Sequence, residues 1–187
     1  MPYRIGDEYG LAQQLHNKGI EAHEQKKFSK AERAYLQSLE IRERIGDEHG
    51  RAQTLQQLGK MAEELEQLDE AEDWYRWSLV ISEKIDYEHA QAEALNHLAW
   101  IAQRRGRLDE AENFYRRSLE IQWQLHDEHN RAQTLYQLGR ITEACKRFDE
   151  SEKFYLEAEK VFQHLDDTKY LEVVKRSHRR LKRERGA

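Results

Sequence analysis

Nine histidines, one cysteine and 36 Asp/Glu residues are the groups in this 187-residue chain whose types could do chemistry. His126 and His129 stand three residues apart, a spacing at which two imidazoles can face one cation. His49, His89 and His129 recur 40 residues apart, so in a repeating fold each lies one unit from the next and the three cannot converge on one ion. His16 and His23 are seven residues apart, about 10 Å along a helix, too far to share a ligand. A solvated place in the first turn of a helix accounts for the recurring histidines. It leaves His126/His129 only as a pair able to take up adventitious metal. Cys145 has no base beside it in sequence, and no Ser-His-Asp set, Gly-rich phosphate loop or Cys/His constellation is present. The carboxylates fall at helix starts and along polar faces, where the helix dipole favours them. The expectation is therefore a chain with no catalytic residues, no metal and no cofactor, and not an enzyme.

Charge is uneven. The net charge is −5, but residues 167–187 hold eight Lys/Arg against three Asp/Glu, a local +5, which leaves the remainder at −10. An acidic body opposes phosphate neutralisation. The basic run from Lys175 to Arg185 carries no aromatic residue to stack on bases. It reads as a solvated helix end that complements its own C-terminal dipole, with nucleic-acid or anionic-membrane contact as the alternative. No stretch approaches the ~20 apolar residues of a membrane span and no secretory signal is visible. A single cysteine permits no intrachain disulfide, which suits a cytoplasmic location.

The elements that carry these residues are set by a period of 40. Gly46-Asp47-Glu48-His49 runs into Arg51-Ala52-Gln53-Thr54-Leu55, and Asp127-Glu128-His129 runs into Arg131-Ala132-Gln133-Thr134-Leu135. Asp86-Tyr87-Glu88-His89 and Gly6-Asp7-Glu8-Tyr9 open two further copies. A fixed period of this size signals stacked supersecondary units, none able to bury its apolar face alone. Within a unit the apolar residues keep helical spacing: Ala52, Leu55, Leu58, Gly59, Ala62 and Leu65, then Ala71, Trp74, Tyr75, Ser78, Leu79 and Ile85. One proline, nine glycines and few β-branched residues favour helices throughout.

Asp7, Asp47 and Asp127 are the expected N-caps of the first helices, with Asp86 one position out of register. Ser29-x-x-Glu32, Asp69-x-x-Glu72, Asp109-x-x-Glu112 and Asp149-x-x-Glu152 read as capping boxes for the second helices. This predicts an all-α, right-handed superhelical solenoid in one domain. Four helix-turn-helix hairpins span about 7–45, 48–85, 88–125 and 128–165, and a capping helix spans about 167–183. That last helix is expected to offer Tyr170, Val173, Val174 and Leu181 to the fourth hairpin. Gly19, Gly59 and Gly139 recur in mid-helix, where glycine costs ~1 kcal/mol against alanine, so a close helix-helix approach is expected there. Ala99 fills the slot in the third unit.

These residues resemble the tetratricopeptide repeat. The pattern reads Leu55, Leu58-Gly59, Ala62, Ala71, Tyr75, Ser78, then Leu95, Leu98-Ala99, Ala102, Ala111, Tyr115, Ser118, then Leu135, Leu138-Gly139, Thr142, Ser151, Tyr155, Ala158. The first copy is looser, with Lys18 at an apolar position. The 40-residue unit is similar to those of kinesin light chains and large bacterial signalling ATPases.

The resemblance implies a non-enzymatic scaffold that binds a protein or peptide in a concave groove lined by the first helices. By position, Gln13, His16, Ile20 and His23 would line it, followed by Gln53, Gln56, Lys60 and Glu63. Glu93, Asn96, Trp100 and Gln103 come next, then Gln133, Tyr136, Arg140 and Glu143. Trp100 and Tyr136 break the polar run and are the expected anchors. Lys60 and Arg140, beside Glu63, Glu93 and Glu143, are too few cations for a carboxylate clamp. Arg4-Ile5-Gly6-Asp7-Glu8 aligns with Arg44-Ile45-Gly46-Asp47-Glu48, so Arg4 and Ile5 read as the end of a missing helix. The alternatives that follow are a sensor segment excised from a larger bacterial signalling or defence protein, and a homo-oligomer formed through the open first repeat.

Overall fold

A computed structural model describes residues 5–185, which form nine α-helices and no strand among them: α1 (Ile5–Glu24), α2 (Phe28–Ile45), α3 (Glu48–Glu64), α4 (Leu68–Lys84), α5 (Glu88–Arg104), α6 (Leu108–Gln124), α7 (Glu128–Ala144), α8 (Phe148–His164) and α9 (Thr168–Arg185). The fold is an all-α helical repeat. Contacts divide it into two compact units that meet in sequence between Ala94 and Leu95, within α5.

The backbone repeats every 20 residues, half the sequence period. Lys26, Gly46, Glu66, Asp86, Gly106, His126, Lys146 and Asp166 all hold a left-handed conformation, with φ between 53° and 73°. The residue after each donates its N–H to the carbonyl five positions back, from Lys27 to Ala22 (2.8 Å) through to Asp167 to Phe162 (3.0 Å). This is the Schellman closure of a helix C-terminus. Only two of the eight left-handed positions are glycine. The other six accept the steric cost of a Cβ there, so glycine alone does not mark these turns.

The closure also fixes where each following helix starts. The first-helix caps at Asp47 and Asp127 are present: Asp47 Oδ1 accepts from Gly50 N (2.9 Å) and Asp127 Oδ1 from Asn130 N (3.2 Å). Asp167 does the same for α9, accepting from Tyr170 N (3.1 Å). The second-helix capping boxes are not formed. α2, α4, α6 and α8 start two residues earlier than expected, with Lys27, Gln67, Arg107 and Arg147 at the N-cap and no side-chain cap hydrogen bond. Ser29, Asp69, Asp109 and Asp149 are thus second helical residues. The Glu partners reach forward instead, Glu72 to Arg76 and Glu112 to Arg116. Asp7 is likewise inside α1, in its first turn. Ile5 opens α1, and Arg4 lies outside the described residues.

Each hairpin closes on a tyrosine from its second helix. Tyr35, Tyr75 and Tyr155 are fully buried against the mid-helix glycines of the first helices. A Cβ on Gly59 would lie 2.7 Å from the Tyr75 ring, and one on Gly139 2.5 Å from Tyr155. The expected close approach is therefore an aromatic ring lying on bare backbone. Buried serines add polar pegs: Ser38 Oγ donates to Ala12 O (2.7 Å) and Ser78 Oγ to Ala52 O (3.0 Å).

In the first unit the core gathers Ala31, Tyr35, Leu58 and Met61. Lys18 is exposed, which suits its departure from the repeat pattern. The same unit buries a charge that the sequence reading passed over. Arg42, 2% exposed, donates to Asp47 Oδ2 (2.7 Å), Gln13 Oε1 (2.9 Å) and Ser38 Oγ (3.1 Å). Its guanidinium occupies the space a Cβ on Gly50 would need.

In the second unit Leu135, Tyr155, Phe162, Val174 and Leu181 form the core. α9 packs on α8 through Val174, Ser177, His178 and Leu181, and Tyr170 stacks on Phe162 (5.3 Å). Val173, expected inward, is exposed.

Candidate functional site

The predicted ligand-facing residues occupy the first helices as four columns, each with a 40-residue step, and the columns differ in what they do. His16, Gln56, Asn96 and Tyr136 form one column. His16 is 7% exposed, with Nδ1 3.1 Å from Thr54 Oγ1. Burial, and then the Arg42 charge, lower it to about 4, so the ring is neutral. Gln56 is 4% exposed and donates to Ala90 O (2.9 Å). Thr134 Oγ1 donates to Asn96 Oδ1 (3.1 Å), and the Tyr136 and Ser177 hydroxyls lie 3.2 Å apart. All four bond to the next first helix along the chain. His16 and Gln56 are rungs between repeats, closed to a ligand. Tyr136 is a half-buried wall rather than an exposed anchor.

In a second column, His23, Glu63, Gln103 and Glu143, the two glutamates brace their own hairpins through the buried tyrosines. Tyr155 Oη donates to Glu143 Oε2 (2.6 Å), and burial followed by this bond pushes the phenol up. Burial, and Glu63 after it, raise Tyr75 in the same way. Glu143 also accepts twice from Arg180 Nη2 (2.9 and 3.0 Å). His23 Nε2 lies 3.1 Å from Glu64 Oε1, and Gln103 is half-buried.

A third column is more open. Gln13 donates to Asn17 Oδ1 (3.0 Å) while it accepts from Arg42. Gln53 Nε2 lies 3.4 Å from Tyr87 Oη, and Gln133 Nε2 2.7 Å from His129 Nε2. Glu93 pairs with Lys60 of the fourth column (2.5 Å).

In that fourth column Ile20, Lys60, Trp100 and Arg140 follow one another. Arg140 donates to Gln137 (3.2 Å) and lies over the Tyr136 ring (5.9 Å). Trp100 is half-buried, with the Arg104 guanidinium over its indole at 5.2 Å. A flat ring with a cation on its face is a platform for apolar and anionic groups together.

The fourth column continues into α9, which the sequence reading took as a cap, with nucleic-acid or membrane contact as the alternative. α9 repeats the first-helix register, with Asp167 in the place of Asp127. This puts Val173, Arg176, Arg180 and Arg183 at the positions of Gln133, Tyr136, Arg140 and Glu143. Arg176 and Arg183 are exposed, and Arg180 is held by Glu143. The signal was present in the 40-residue step from Asp127 to Asp167.

Two of the three recurring histidines make ring contacts, and His89 is exposed. His49 stacks on Tyr87 (3.9 Å), and His129 meets Phe162 and Tyr170 edge-on (5.9 and 5.5 Å). His126 holds a left-handed turn position. Among the described residues no group of three His, Cys, Asp or Glu could hold a metal ion. No described helix is long and apolar enough to cross a membrane.

A tetratricopeptide-repeat family model matches residues 10–84 and 90–164. No curated protein matches the sequence. Among solved structures the fold is similar to the apo form of RapI (15% identity, TM-score 0.85, 94% of this chain and 64% of that one). It is similar to a Rap protein complexed with competence and sporulation factor (18%, 0.71, 92% and 48%). It is similar also to a signal transduction ATPase with numerous domains and a tetratricopeptide repeat sensor from Pyrococcus horikoshii (18%, 0.80, 92% and 27%). The chain thus spans about a quarter to two thirds of the length of these structures.

Proposed function

The chain belongs to the tetratricopeptide-repeat family, and from that premise we propose that it is a recognition scaffold whose first helices bind a protein or peptide segment without chemistry of their own. The observation that carries the reading is the Trp100 platform. Of the four members of its column it is the only large aromatic, and it lies in the same unit as Arg104, Arg140, Arg176 and Arg183. The segment that suits this face carries an apolar side chain for the indole and acidic residues for the arginines. Pre-formed helices limit the ordering cost of binding. The Rap protein complexed with competence and sporulation factor supports the same direction.

Panning a random peptide library against the full chain tests this. Enrichment of acidic peptides with an apolar residue is expected, with loss on Trp100→Ala at unchanged helix content by circular dichroism. Equal capture by wild type and variant would move the site elsewhere.

A second reading, a sensor segment of a larger switch protein, is favoured by the Pyrococcus horikoshii ATPase, which has a tetratricopeptide repeat sensor. Sequencing the coding region on both sides of the chain separates the readings. An adjoining nucleotide-binding module supports the sensor, and unrelated flanking genes count against it.

A further inference from the structure

The outer face of α4 carries an apolar strip that its counterparts lack. Trp77 is 55% and Val80 63% exposed. The residues in the same places on the other second helices are Gln37 and Glu40, Arg117 and Glu120, and Glu157 and Lys160. An exposed Trp-Val pair where every sister helix is polar is a feature of this helix, not of the repeat. Trp74, half-buried, meets Trp77 edge-on at 5.1 Å and holds its ring in place, and half-buried Ile81 extends the same edge.

The ends of the strip are charged with opposite sign. Asp73 is one turn before Trp77 and Lys84 one turn after Val80, and both are exposed. The spacing Asp73, Trp77, Val80, Lys84 is four, three, four, which keeps all four on one narrow stripe of an α-helix. Such a stripe is its own complement under a two-fold axis. When a second α4 is laid antiparallel, Trp77 meets the other Val80 and Asp73 the other Lys84, twice over. The equivalent end pairs elsewhere are Arg33 with Arg44, Asn113 with Gln124 and Lys153 with His164, none of which can form this exchange. Lys84 also lies 3.5 Å from Glu48 of its own chain. Lys84 itself is exposed and Glu48 half-buried, and a pair at the surface contributes little, so Lys84 can turn to a partner.

We propose that two copies of this chain associate through α4 in an antiparallel, two-fold pairing centred between Ser78 and Leu79. A strip of about three turns buries less than the ~800 Å² per partner of a standard interface, so the dimer is weak and forms as concentration rises. This contact is independent of the ligand-binding reading, because it uses a second helix and none of the first-helix columns.

Sedimentation equilibrium of the full chain over a wide concentration range tests the pairing. Wild type is expected to pass from monomer to dimer, and Trp77→Ala to weaken the dimer about tenfold or more, as loss of a central aromatic does. Asp73→Lys and Lys84→Asp each place like charges opposite one another and are expected to weaken it separately. Mixing these two single variants restores opposite charges at both ends, and a mixed dimer tighter than either alone is the expected signature. A chain that stays monomeric throughout, a dimer indifferent to Trp77→Ala, or a mixture no tighter than its parts overturns the proposal. The first of these results would leave the strip to a different protein.

Discussion

α3 and α7 are near copies, yet they are held by different chemistry. Arg51-Ala-Gln-Thr-Leu recurs as Arg131-Ala-Gln-Thr-Leu. Arg51 pairs with Glu48 (2.8 Å) and Glu43 (3.3 Å), whereas Arg131 lies on the face of Trp123 at 4.7 Å. Glu43 and Trp123 are the same position of two second helices, so the helix before the copy selects how its arginine is satisfied. The end of that preceding helix differs as well. In the first unit Arg42 is buried with Asp47, Ser38 and Gln13. Its counterpart in the second unit is Gln122, also buried. A repeat can thus be duplicated almost letter for letter while its stability comes to depend on unlike interactions.

The largest test of that contrast is Arg42→Ala. It leaves Asp47 facing a cavity without its cation, and removing one member of a buried pair costs about 3–5 kcal/mol. Urea unfolding should show that loss, with Gln122→Ala costing markedly less. Next is the feature the units share. Gly59→Val and Gly139→Val force a side chain into the Tyr75 and Tyr155 rings and should each cost about 1–3 kcal/mol. Ala99 already carries a Cβ in that slot, so Ala99→Gly should cost only about 1 kcal/mol.

The third test is pH. His16 in the first unit is lowered from its ordinary value to about 4 by burial and by Arg42. The folded state therefore favours the neutral ring. That contribution is fully present above the unfolded value near 6.5 and is lost as pH falls from there towards 4. Melting temperature should drop across this window, and His16→Asn should flatten the drop. Smallest is Trp123→Glu, which rebuilds the Glu43–Arg51 arrangement in the second unit. A cation-π contact and an exposed ion pair are each worth roughly 0.5–1 kcal/mol, so thermal stability should barely move while sensitivity to salt rises.

Much of the fold was legible because its signals are local. Leu55, Leu58, Ala62, Ala71, Tyr75 and Ser78 declare two amphipathic helices at one spacing, and Asp47 and Asp127 cap where they stand. The capping boxes misled because Asp69-x-x-Glu72 satisfies a local rule that a stronger one displaced. The Schellman closure at Glu66 and Gln67 fixes the start of α4 at Leu68, and six of the eight such turns use residues that do not advertise a left-handed backbone. For the candidate site the sequence placed residues on first helices but could not rank them. His16 and Gln56 share the helical stripe of Lys60, and only the neighbouring helix distinguishes a rung from a surface.

The sequence by itself determined the repeat, the helices, the close approach at the mid-helix glycines and the family, because each rests on interactions within one turn or one hairpin. Tertiary structure alone decided that His16 bonds to Thr54, that Arg42 is buried, and that Trp77 and Val80 lie uncovered. Those outcomes depend on contacts between residues about 26 to 41 positions apart, where chain direction and neighbouring volume, rather than helical periodicity, fix which side chain meets which.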